Sequence, residues 1–277
     1  MRAAWLLLLA CACGEAPKPS TEARRIVSLL PSLTQIVVEL GAADRLVACT
    51  EACDPGRKLP RVSWREASAV EPILWLRPDL VLRQEVRAER DALRRALEKV
   101  GVRLLVVPSE TVADVRSAML DVGRALALES RAVALVERFE RELEEARRPA
   151  AGKPRPSVLL VFGRDAGAVA NVSAAGPGTF LHEMLELAGG RNVLDDMMMP
   201  YPSLTLEEIV RLSPTVIIDI LPPEKTAAAA RRAWEPLREA VAAVREGRVY
   251  PVLDRSLLIP GPGLPESVSL LVEMIHG

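Results

Sequence analysis

The side chains that most often carry chemistry are few in this sequence. Past the first 13 residues its cysteines are Cys49 and Cys53, and its histidines are His182 and His276. A structural zinc site needs four converging nitrogen and sulfur ligands, and the wide separation of the two histidines does not favour one. We expect Cys49 and Cys53 to be free thiols or to pair with each other, which over so short a loop requires a tight turn.

No catalytic motif accompanies these groups. The chain lacks a nucleophile elbow, a phosphate-binding glycine motif after a strand, and an HExxH motif. His182 lies in the first turns of a predicted helix, and no orienting partner for its ring is identifiable, so we interpret it as structural.

A second feature is a repeated pattern in residues 70–82 and 206–218. In both segments a Glu is followed at the same spacing by Ile, Leu and Pro, and then by an apolar triplet. The matched residues are Glu71 with Glu207, Ile73 with Ile209, Leu76 with Leu212, and Pro78 with Pro214. The repeat predicts two related lobes, each built from one helix-then-strand unit, with a cleft between them in which a small molecule can bind.

The overall composition fits such a chain. A length of 277 residues allows one large or two modest domains, and an apolar share of 49% is ample for buried cores. Lys and Arg number 36 against 37 Asp and Glu, and they are scattered along the chain. The absence of a basic stripe and the 3% aromatic content argue against nucleic acid as a partner.

The N-terminus has the pattern of an export signal. Arg2 precedes the apolar run Ala3–Ala10, and Cys11 follows it. The residues around Cys11 resemble a bacterial lipobox, so we expect Cys11 to be lipidated and to anchor the protein to a membrane, with Cys13 as a poorer second choice. The run is far shorter than the ~20 residues of a membrane span. The alternative is a soluble protein with an apolar start, and residues 14–23 are predicted to form a flexible tether.

Strands and helices alternate in both halves of the sequence, which predicts an α/β fold with parallel sheets flanked by helices. The predicted helices cover residues 32–40, 69–77, 88–100, 111–126, 130–147, 180–188, 205–212, 226–245 and 266–276. The predicted strands cover residues 25–30, 46–49, 80–82, 102–107, 158–162, 216–220 and 249–252. Capping-box spacing occurs at Ser32 with Gln35, Ser68 with Glu71 and Thr205 with Glu208, and Ser130 is a further predicted N-cap.

The helix predicted for residues 130–147 connects the two halves. Its apolar side chains form one stripe, made of Ala132, Val136, Phe139, Leu143 and Ala146, and its other face is charged. A long helix of this kind suits a rigid connection between two lobes. The predicted organisation is a signal and tether at 1–23, an N-terminal lobe at 24–128, a connecting helix at 129–149 and a C-terminal lobe at 150–277.

The order of several short motifs then resembles a known family. They are RIVSLLPSLTQIVVELG, LPRVSW, VEPILWLRPDLVL, GPGTFLHEMLELAGGRNV, YPSLTLEEIVRLSPTVII and VYPVLD followed by PGPG. Across nearly all of residues 24–277 the chain is similar to the solute-binding proteins of ABC importers for cobalamin and iron chelates, the class with one long helix between two lobes.

This resemblance implies a transport function without catalysis. The alternatives are an enzyme on a two-lobed α/β scaffold, a zinc or manganese receptor of the same fold, and a purely structural lipoprotein. A corrinoid or a ferric chelate such as a siderophore or haem would bind between the lobes as cargo, with no resident cofactor or metal. A monomer, exported to the periplasm or outer cell surface, would then dock on the ABC permease and its ATPase. The family's docking carboxylates match Glu71 and Glu207. Capping is the alternative for Glu71, which lies three residues after Ser68, whereas Glu207 does not occupy the capping position after Thr205.

The resemblance also implies cleft residues. Trp64 and Tyr201 match aromatic ligand contacts, although ordinary packing between lobes is the alternative for both rings. Further polar residues fall in loops expected at the cleft, where solvated loop polarity is the alternative: Cys53, Asp54, Gln84, Arg164 and Arg255. Trp75 and Trp234 are expected in the core.

The sequence departs from the cobalamin-binding members at several positions, so the cargo can differ from cobalamin. Ala52, Gln84 and Ala168 stand where those members have aromatic residues, and Gly263 stands where many relatives have Arg. The run 197–199 of three Met residues is unusual, and it could pad an apolar ligand or contact the lobe edge.

Overall fold

The computed structural model describes residues 22–63, 70–85, 92–253 and 255–277. A four-stranded parallel sheet in the order β2-β1-β3-β4 forms the centre of the N-terminal lobe. Its strands are β1 (Ile26–Ser28), β2 (Leu46–Cys49), β3 (Leu80–Gln84) and β4 (Arg103–Val107). Its helices are α1 (Pro31–Glu39), α2 (Val70–Trp75), α3 (Ala92–Lys99) and α4 (Val112–Ala125). The predicted alternation of strands and helices is confirmed here.

The C-terminal lobe is built on a second sheet of six strands. The strands β10 (Val249–Val252), β9 (Val216–Ile220) and β5 (Ser157–Gly163) are parallel neighbours, and β7 (Arg191–Asn192) also pairs in parallel with β5. The antiparallel strands β6 (Val172–Ala174) and β8 (Ser203–Leu204) extend the sheet beyond β5. Strands β6, β7 and β8 were not predicted, because two or three residues are too few to show an alternating pattern.

The helices of this lobe are α6 (Phe180–Leu187), α7 (Leu206–Leu212), α8 (Ala227–Trp234), α9 (Ala242–Arg245) and α10 (Leu264–His276). The prediction of one continuous helix over 226–245 was wrong. The chain leaves α8 through a short 3-10 turn at Glu235–Leu237. Pro236 lies in that turn, and a proline inside a longer helix would remove a backbone hydrogen bond and clash with the preceding turn.

One long helix, α5 (Glu129–Arg147), connects the lobes. Its 19 residues span about 28 Å at 1.5 Å per residue. It packs against α4 on one side and α10 on the other. Its buried residues are Ala132, Leu135, Phe139, Leu143 and Ala146, so the predicted stripe is confirmed except that Leu135 takes the place assigned to Val136. The precise lobe boundaries at residues 128/129 and 149/150 stay a prediction.

A single apolar core continues from one lobe to the other through this connection. It includes Ile36 beside the first sheet, Met119 in α4, Phe139 in α5, Leu271 in α10 and Val158 in the second sheet, all essentially without exposed surface. Because protein cores are close-packed, tilting one lobe against the other requires these side chains to repack. Among the described helices, none is both long and apolar enough to cross a membrane.

Two predicted helix caps were wrong. Helix α1 begins at Pro31 with Leu30 as its N-cap and without a side-chain capping bond, so Ser32 and Gln35 lie inside the helix. Proline suits the first helical position because its fixed φ is already helical and its missing N–H would have no partner there. Helix α5 likewise begins one residue before Ser130, with Leu128 as N-cap. Ser68 lies outside the described residues.

The junction between α4 and α5 depends on a very close approach at Gly123. A Cβ added to Gly123 would lie 2.2 Å from the Cβ of Ala132 and 3.5 Å from the carbonyl oxygen of Leu128. Neither neighbour can rotate away, because one is a Cβ and the other is backbone. Glycine at this position therefore sets the distance between the N-terminal lobe and the connecting helix.

The C-terminal lobe holds a buried ionic cluster behind its sheet. The Arg164 guanidinium donates to Asp219 Oδ2 at 2.9 Å and to Glu224 Oε1 at 3.0 Å, and Trp234 Nε1 donates to the same Asp219 oxygen at 3.0 Å. The guanidinium also lies 5.9 Å from the centre of a Trp234 ring. The side chains of Arg164 and Asp219 are completely or almost completely buried. The prediction that Trp234 is a core residue is confirmed.

The two carboxylates of this cluster respond differently to burial. Burial raises the pKa of Asp219 above its usual value, and hydrogen bonds from Trp234 and Arg164 offset this only in part. Burial also acts to raise the pKa of Glu224, but hydrogen bonds from Arg164 and from backbone N–H groups outweigh it and lower that pKa. Arg164 is thus the cation that allows both carboxylates to stay in place.

Replacing Gly123 by Ala should destabilise the protein. Alanine normally favours a helix over glycine, but here its methyl group would overlap Ala132, and overpacking of this kind costs about 1–3 kcal/mol. Chemical denaturation of Gly123→Ala should give a lower free energy of unfolding than the wild type. The control is Gly263→Ala, where an added Cβ meets no atom within 4 Å and φ is −79°. A Gly123→Ala protein as stable as the wild type would contradict the close approach.

Replacing Arg164 by Met should also destabilise the protein, because it leaves Asp219 and Glu224 without their cation. Removing one partner of a buried ion pair costs about 3–5 kcal/mol. Denaturant titration measures the loss. The control is Arg238→Met, since Arg238 pairs with Glu235 on an exposed surface, and we expect no measurable change there. An equal effect of both substitutions would show that burial is not what makes Arg164 important.

Candidate functional site

We expect the candidate site at the carboxyl ends of the parallel strands, where loops of both lobes begin. In α/β proteins this edge is the usual place for ligand-binding loops. In the N-terminal lobe the loop after β2 contains Cys53 and Asp54, β3 ends at Gln84, and the loop after β4 contains Glu110. In the C-terminal lobe Arg164 follows β5. These loops follow the carboxyl ends of parallel strands in their own sheets, and their contact with a ligand stays a prediction.

The two lobes touch each other along this edge. The Tyr201 hydroxyl donates to Glu110 Oε2 at 2.7 Å, from the C-terminal to the N-terminal lobe. The backbone N–H of Val112, at the start of α4, donates to Glu183 Oε2 in α6 at 2.7 Å. Gly261 lies against α1, where an added Cβ would be 2.6 Å from Gln35 Oε1. These contacts join the two lobes, and Val112 and Glu183 also line a cavity between α4, α5 and α6.

Tyr201 is held from its own lobe as well. Its ring meets the Phe162 ring edge-on, with centroids 5.7 Å apart and planes at 88°. Its loop approaches Gly176 closely, since Gly176 N donates to the Pro200 carbonyl at 2.8 Å and a Cβ there would lie 2.4 Å from the Met199 carbonyl oxygen. With 42% of its surface exposed, Tyr201 is positioned yet still reachable by a ligand.

The hydroxyl of Tyr201 stays protonated over a wide pH range. Burial raises its pKa most, and the hydrogen bond to Glu110 and the negative charge of that carboxylate raise it further. The phenol therefore acts as a neutral hydrogen-bond donor. Sequence analysis missed Glu110, because the signal at this position is only a Glu before the N-cap Thr111 of a helix.

The two cysteines of the folded domain are free thiols. Cys53 Sγ lies 3.1 Å from Thr50 Oγ1, and Arg61 NH1 donates to Cys49 Sγ at 3.0 Å and to the Cys53 carbonyl at 2.9 Å. Burial, together with the neighbouring Cys53, raises the pKa of Cys49 to about 11. Cys53 is only 5% exposed. As placed, these thiols pack inside the loop after β2 and shape it.

The remaining predicted ligand residues are placed in different ways. Asp54 is exposed and accepts from Gly56 N at 3.0 Å, which closes a turn. Gln84 is half-buried and Arg255 is exposed. Arg164 was expected to contact the ligand. Its N–H groups instead donate to Asp219, Glu224 and two backbone carbonyls inside the lobe. Trp64 and Cys11 lie outside the described residues.

The docking candidates are both in the first turn of a short helix, Glu71 in α2 and Glu207 in α7, and both are exposed. None of the described residues forms a salt bridge with either of them. The capping box of Thr205 with Glu208 is confirmed, with Thr205 N donating to Glu208 Oε2 at 2.8 Å. Hydrogen bonds from Thr205 lower the pKa of Glu208. Glu207 is not engaged in this cap.

Two other expectations need correction. Trp75 was expected in the core, but 79% of it is exposed. The reason is helix geometry, because side chains two residues apart lie about 200° apart around the axis. With Ile73 buried, Trp75 therefore faces outward. His182 does have orienting partners, since its Nδ1 lies 3.1 Å from Asn192 Nδ2 and 3.5 Å from Asp195 Oδ1. Asn192 belongs to β7, a strand that the sequence did not reveal.

The Met run projects from the C-terminal lobe. Met197 packs partly against the second apolar cluster of that lobe, whereas Met198 and Met199 are 98% and 59% exposed. A separate cavity of about 420 Å³ lies between α4, α5 and α6. Its charged residues are already paired, for example Arg116 with Glu140 and Arg147 with Glu144. Within the described parts of the chain, no three His, Cys, Asp or Glu side chains are grouped closely enough to hold a metal ion.

Comparison with known proteins agrees with this architecture. The chain is 29% identical over 261 residues to an uncharacterized ABC transporter substrate-binding lipoprotein, YvrC, of Bacillus subtilis, covering 92% of this chain and 81% of that protein. It is 26% identical to the vitamin B12-binding protein of Pectobacterium carotovorum, covering 84% and 82% of the two chains.

A solved structure with a similar fold is the periplasmic heme-binding protein BhuT in complex with two hemes. The TM-score is 0.78 at 28% identity, covering 91% of this chain and 97% of that one. Residues 26–254 of this chain, from the first strand to the loop after the last, match the periplasmic binding protein family. This match covers most of the chain, and this chain therefore belongs to the periplasmic binding protein family.

Proposed function

We propose that this protein is the extracytoplasmic solute receptor of an ABC importer. It captures a corrinoid or a ferric chelate, such as a siderophore or haem, between its lobes and delivers it unchanged to the permease and its ATPase. The observation that carries this proposal is the meeting of both strand-end edges across the Tyr201–Glu110 contact. The curated relatives support it, because they are named as ABC substrate-binding and vitamin B12-binding proteins.

The rest of the fold is suited to this function. Tyr201 supplies a flat apolar face with a polar edge, and the loops containing Asp54, Gln84 and Arg255 add polar groups around it. The rigid connection by α5 favours a small closing movement over a wide hinge. The exposed Glu71 and Glu207 project from equivalent helices of the two lobes, and they would form charge-assisted hydrogen bonds with cationic residues of the permease.

The proposal includes an N-terminal lipid on Cys11. The Bacillus subtilis relative is named a lipoprotein, which supports it. The intervening residues 12–23 would serve as a tether of at most about 3.3–3.6 Å per residue. Such a tether lets the receptor reach the permease while remaining bound to the membrane surface.

The first test is direct ligand binding. Calorimetric titration with cobalamin, cobinamide, haemin and a ferric hydroxamate siderophore should show saturable binding of at least one of them. Mass spectrometry of the recovered ligand should show an unchanged compound. Failure to bind any of the four, or conversion of one into a product, would contradict the proposed function.

The second test separates docking from capture. Glu207→Arg should abolish uptake by a transporter-containing membrane, because it places a cation against the cationic docking site. The affinity for the ligand should stay within about twofold of the wild type, since Glu207 lies outside the cleft. The matched control is Glu145→Arg on the exposed face of α5, which should transport normally. Equal loss of binding and uptake in Glu207→Arg would remove Glu207 from docking.

A further inference from the structure

Glu110 is a carboxylate with a fixed position at the lobe junction. Its backbone N–H donates to Asp114 Oδ2 at 3.0 Å, and the N–H of Thr111 donates to the same oxygen at 3.0 Å. These bonds belong to the capping box of α4, which in turn packs against α5. The main chain at Glu110 is therefore tied to the rigid part of the molecule, and its exposed side chain extends to the other lobe.

The partner of Glu110 is also fixed. The Tyr201 ring lies against Phe162, and its loop is held on Gly176. A ligand that enters between Tyr201 and Glu110 must break their 2.7 Å hydrogen bond. The Glu110 carboxylate then needs a new hydrogen-bond donor, because a desolvated carboxylate without a donor is costly.

Among the described residues, no cationic side chain forms a salt bridge with Glu110. Arg164, a buried arginine of the C-terminal lobe, already forms ion pairs with Asp219 and Glu224. Arg255 is exposed in the loop after β10, and within the described parts of the chain no salt bridge joins it to Glu110. A ligand carboxylate placed beside Glu110 would meet a like charge, whereas a ligand N–H would replace the lost Tyr201 donor.

We propose that Glu110 is a specificity-determining residue of the cleft, which disfavours cargo that presents carboxylates at the Tyr201 contact and favours cargo that presents neutral N–H donors there. The inference rests on the proposed function and narrows its cargo. A corrinoid, whose rim carries carboxamides, fits the preference. A porphyrin with two free propionates fits it less well, and its penalty comes from charge, not from ring size.

The experiment compares ligands that differ only in charge. Haemin and its dimethyl ester share one ring and one metal, and they differ in the two carboxylates. Dicyanocobinamide serves as the carboxamide-bearing ligand. Dissociation constants for the three are measured by tryptophan fluorescence quenching in the wild type, Glu110→Gln and Tyr201→Phe. Glu145→Gln on α5 is the matched control for loss of one negative charge outside the cleft.

The two variants separate charge from hydrogen bonding. Glu110→Gln keeps an oxygen that can accept from Tyr201 but removes the charge, so haemin should bind about 5–10-fold more tightly than to the wild type. The dissociation constants of its dimethyl ester and of dicyanocobinamide should change by less than about twofold. Tyr201→Phe keeps the charge of Glu110, so it should give no such gain for haemin. Added salt should reduce the difference between wild type and Glu110→Gln.

Several outcomes would overturn the inference. Glu110→Gln could change the dissociation constants of haemin and its ester equally. Glu145→Gln could reproduce the gain in haemin affinity. Glu110→Gln could also bind dicyanocobinamide without binding haemin more tightly than the wild type does. Each would show that the charge of Glu110 does not select the cargo, while the proposed function survives. If neither the wild type nor any variant bound any of the three ligands, the inference would fail. The titration with cobalamin and the ferric hydroxamate siderophore would then decide whether the proposed function fails as well.

Discussion

The close packing of α5 between α4 and α10 is the constraint on which the rest of the molecule depends. Gly123 lets α4 approach Ala132 of α5 within a distance that no larger residue allows. The apolar core passes through these helices from one sheet to the other without interruption. Since such a core resists repacking, we expect the two lobes to keep a nearly fixed separation.

The proposed function then depends on a few small contacts between the two lobes. The Tyr201–Glu110 hydrogen bond and the close packing of Gly261 against α1 join the two lobes. The Tyr201–Glu110 hydrogen bond can be exchanged for contacts with a ligand, because a hydrogen bond to a charged group contributes only about 1.5–3 kcal/mol net. A receptor that must both capture and release its cargo benefits from this balance.

Arg164 shows how a loop position can mislead. It directly follows β5, where ligand-binding residues were expected. Its side chain instead donates to the buried Asp219 within the same lobe. The reason is electrostatic. Asp219 sits within β9, a strand buried along its whole length, and a carboxylate buried there requires a cation and a donor, which Arg164 and Trp234 provide. The sequence contains all three residues but not their convergence.

The sequence by itself determined the features that depend on periodicity and local chemistry. The strands of the two parallel sheets, the bounds of α4 and the apolar stripe of α5 follow from which residues are apolar and how they are spaced. The Thr205–Glu208 cap follows from side chains three residues apart. The repeat of Glu71 and Glu207 likewise indicated two lobes with equivalent exposed helices.

Only the tertiary structure decided which of these residues meet. Glu110 and Tyr201 are 91 residues apart in the chain, and neither has a local pattern that marks the other as its partner. The exposure of Trp75, the partners of His182 and the break at Pro236 were also decided by packing. The physical reason is that hydrophobic periodicity and capping act over one or two turns of chain, whereas burial and charge pairing act through space between segments whose approach the local sequence does not encode.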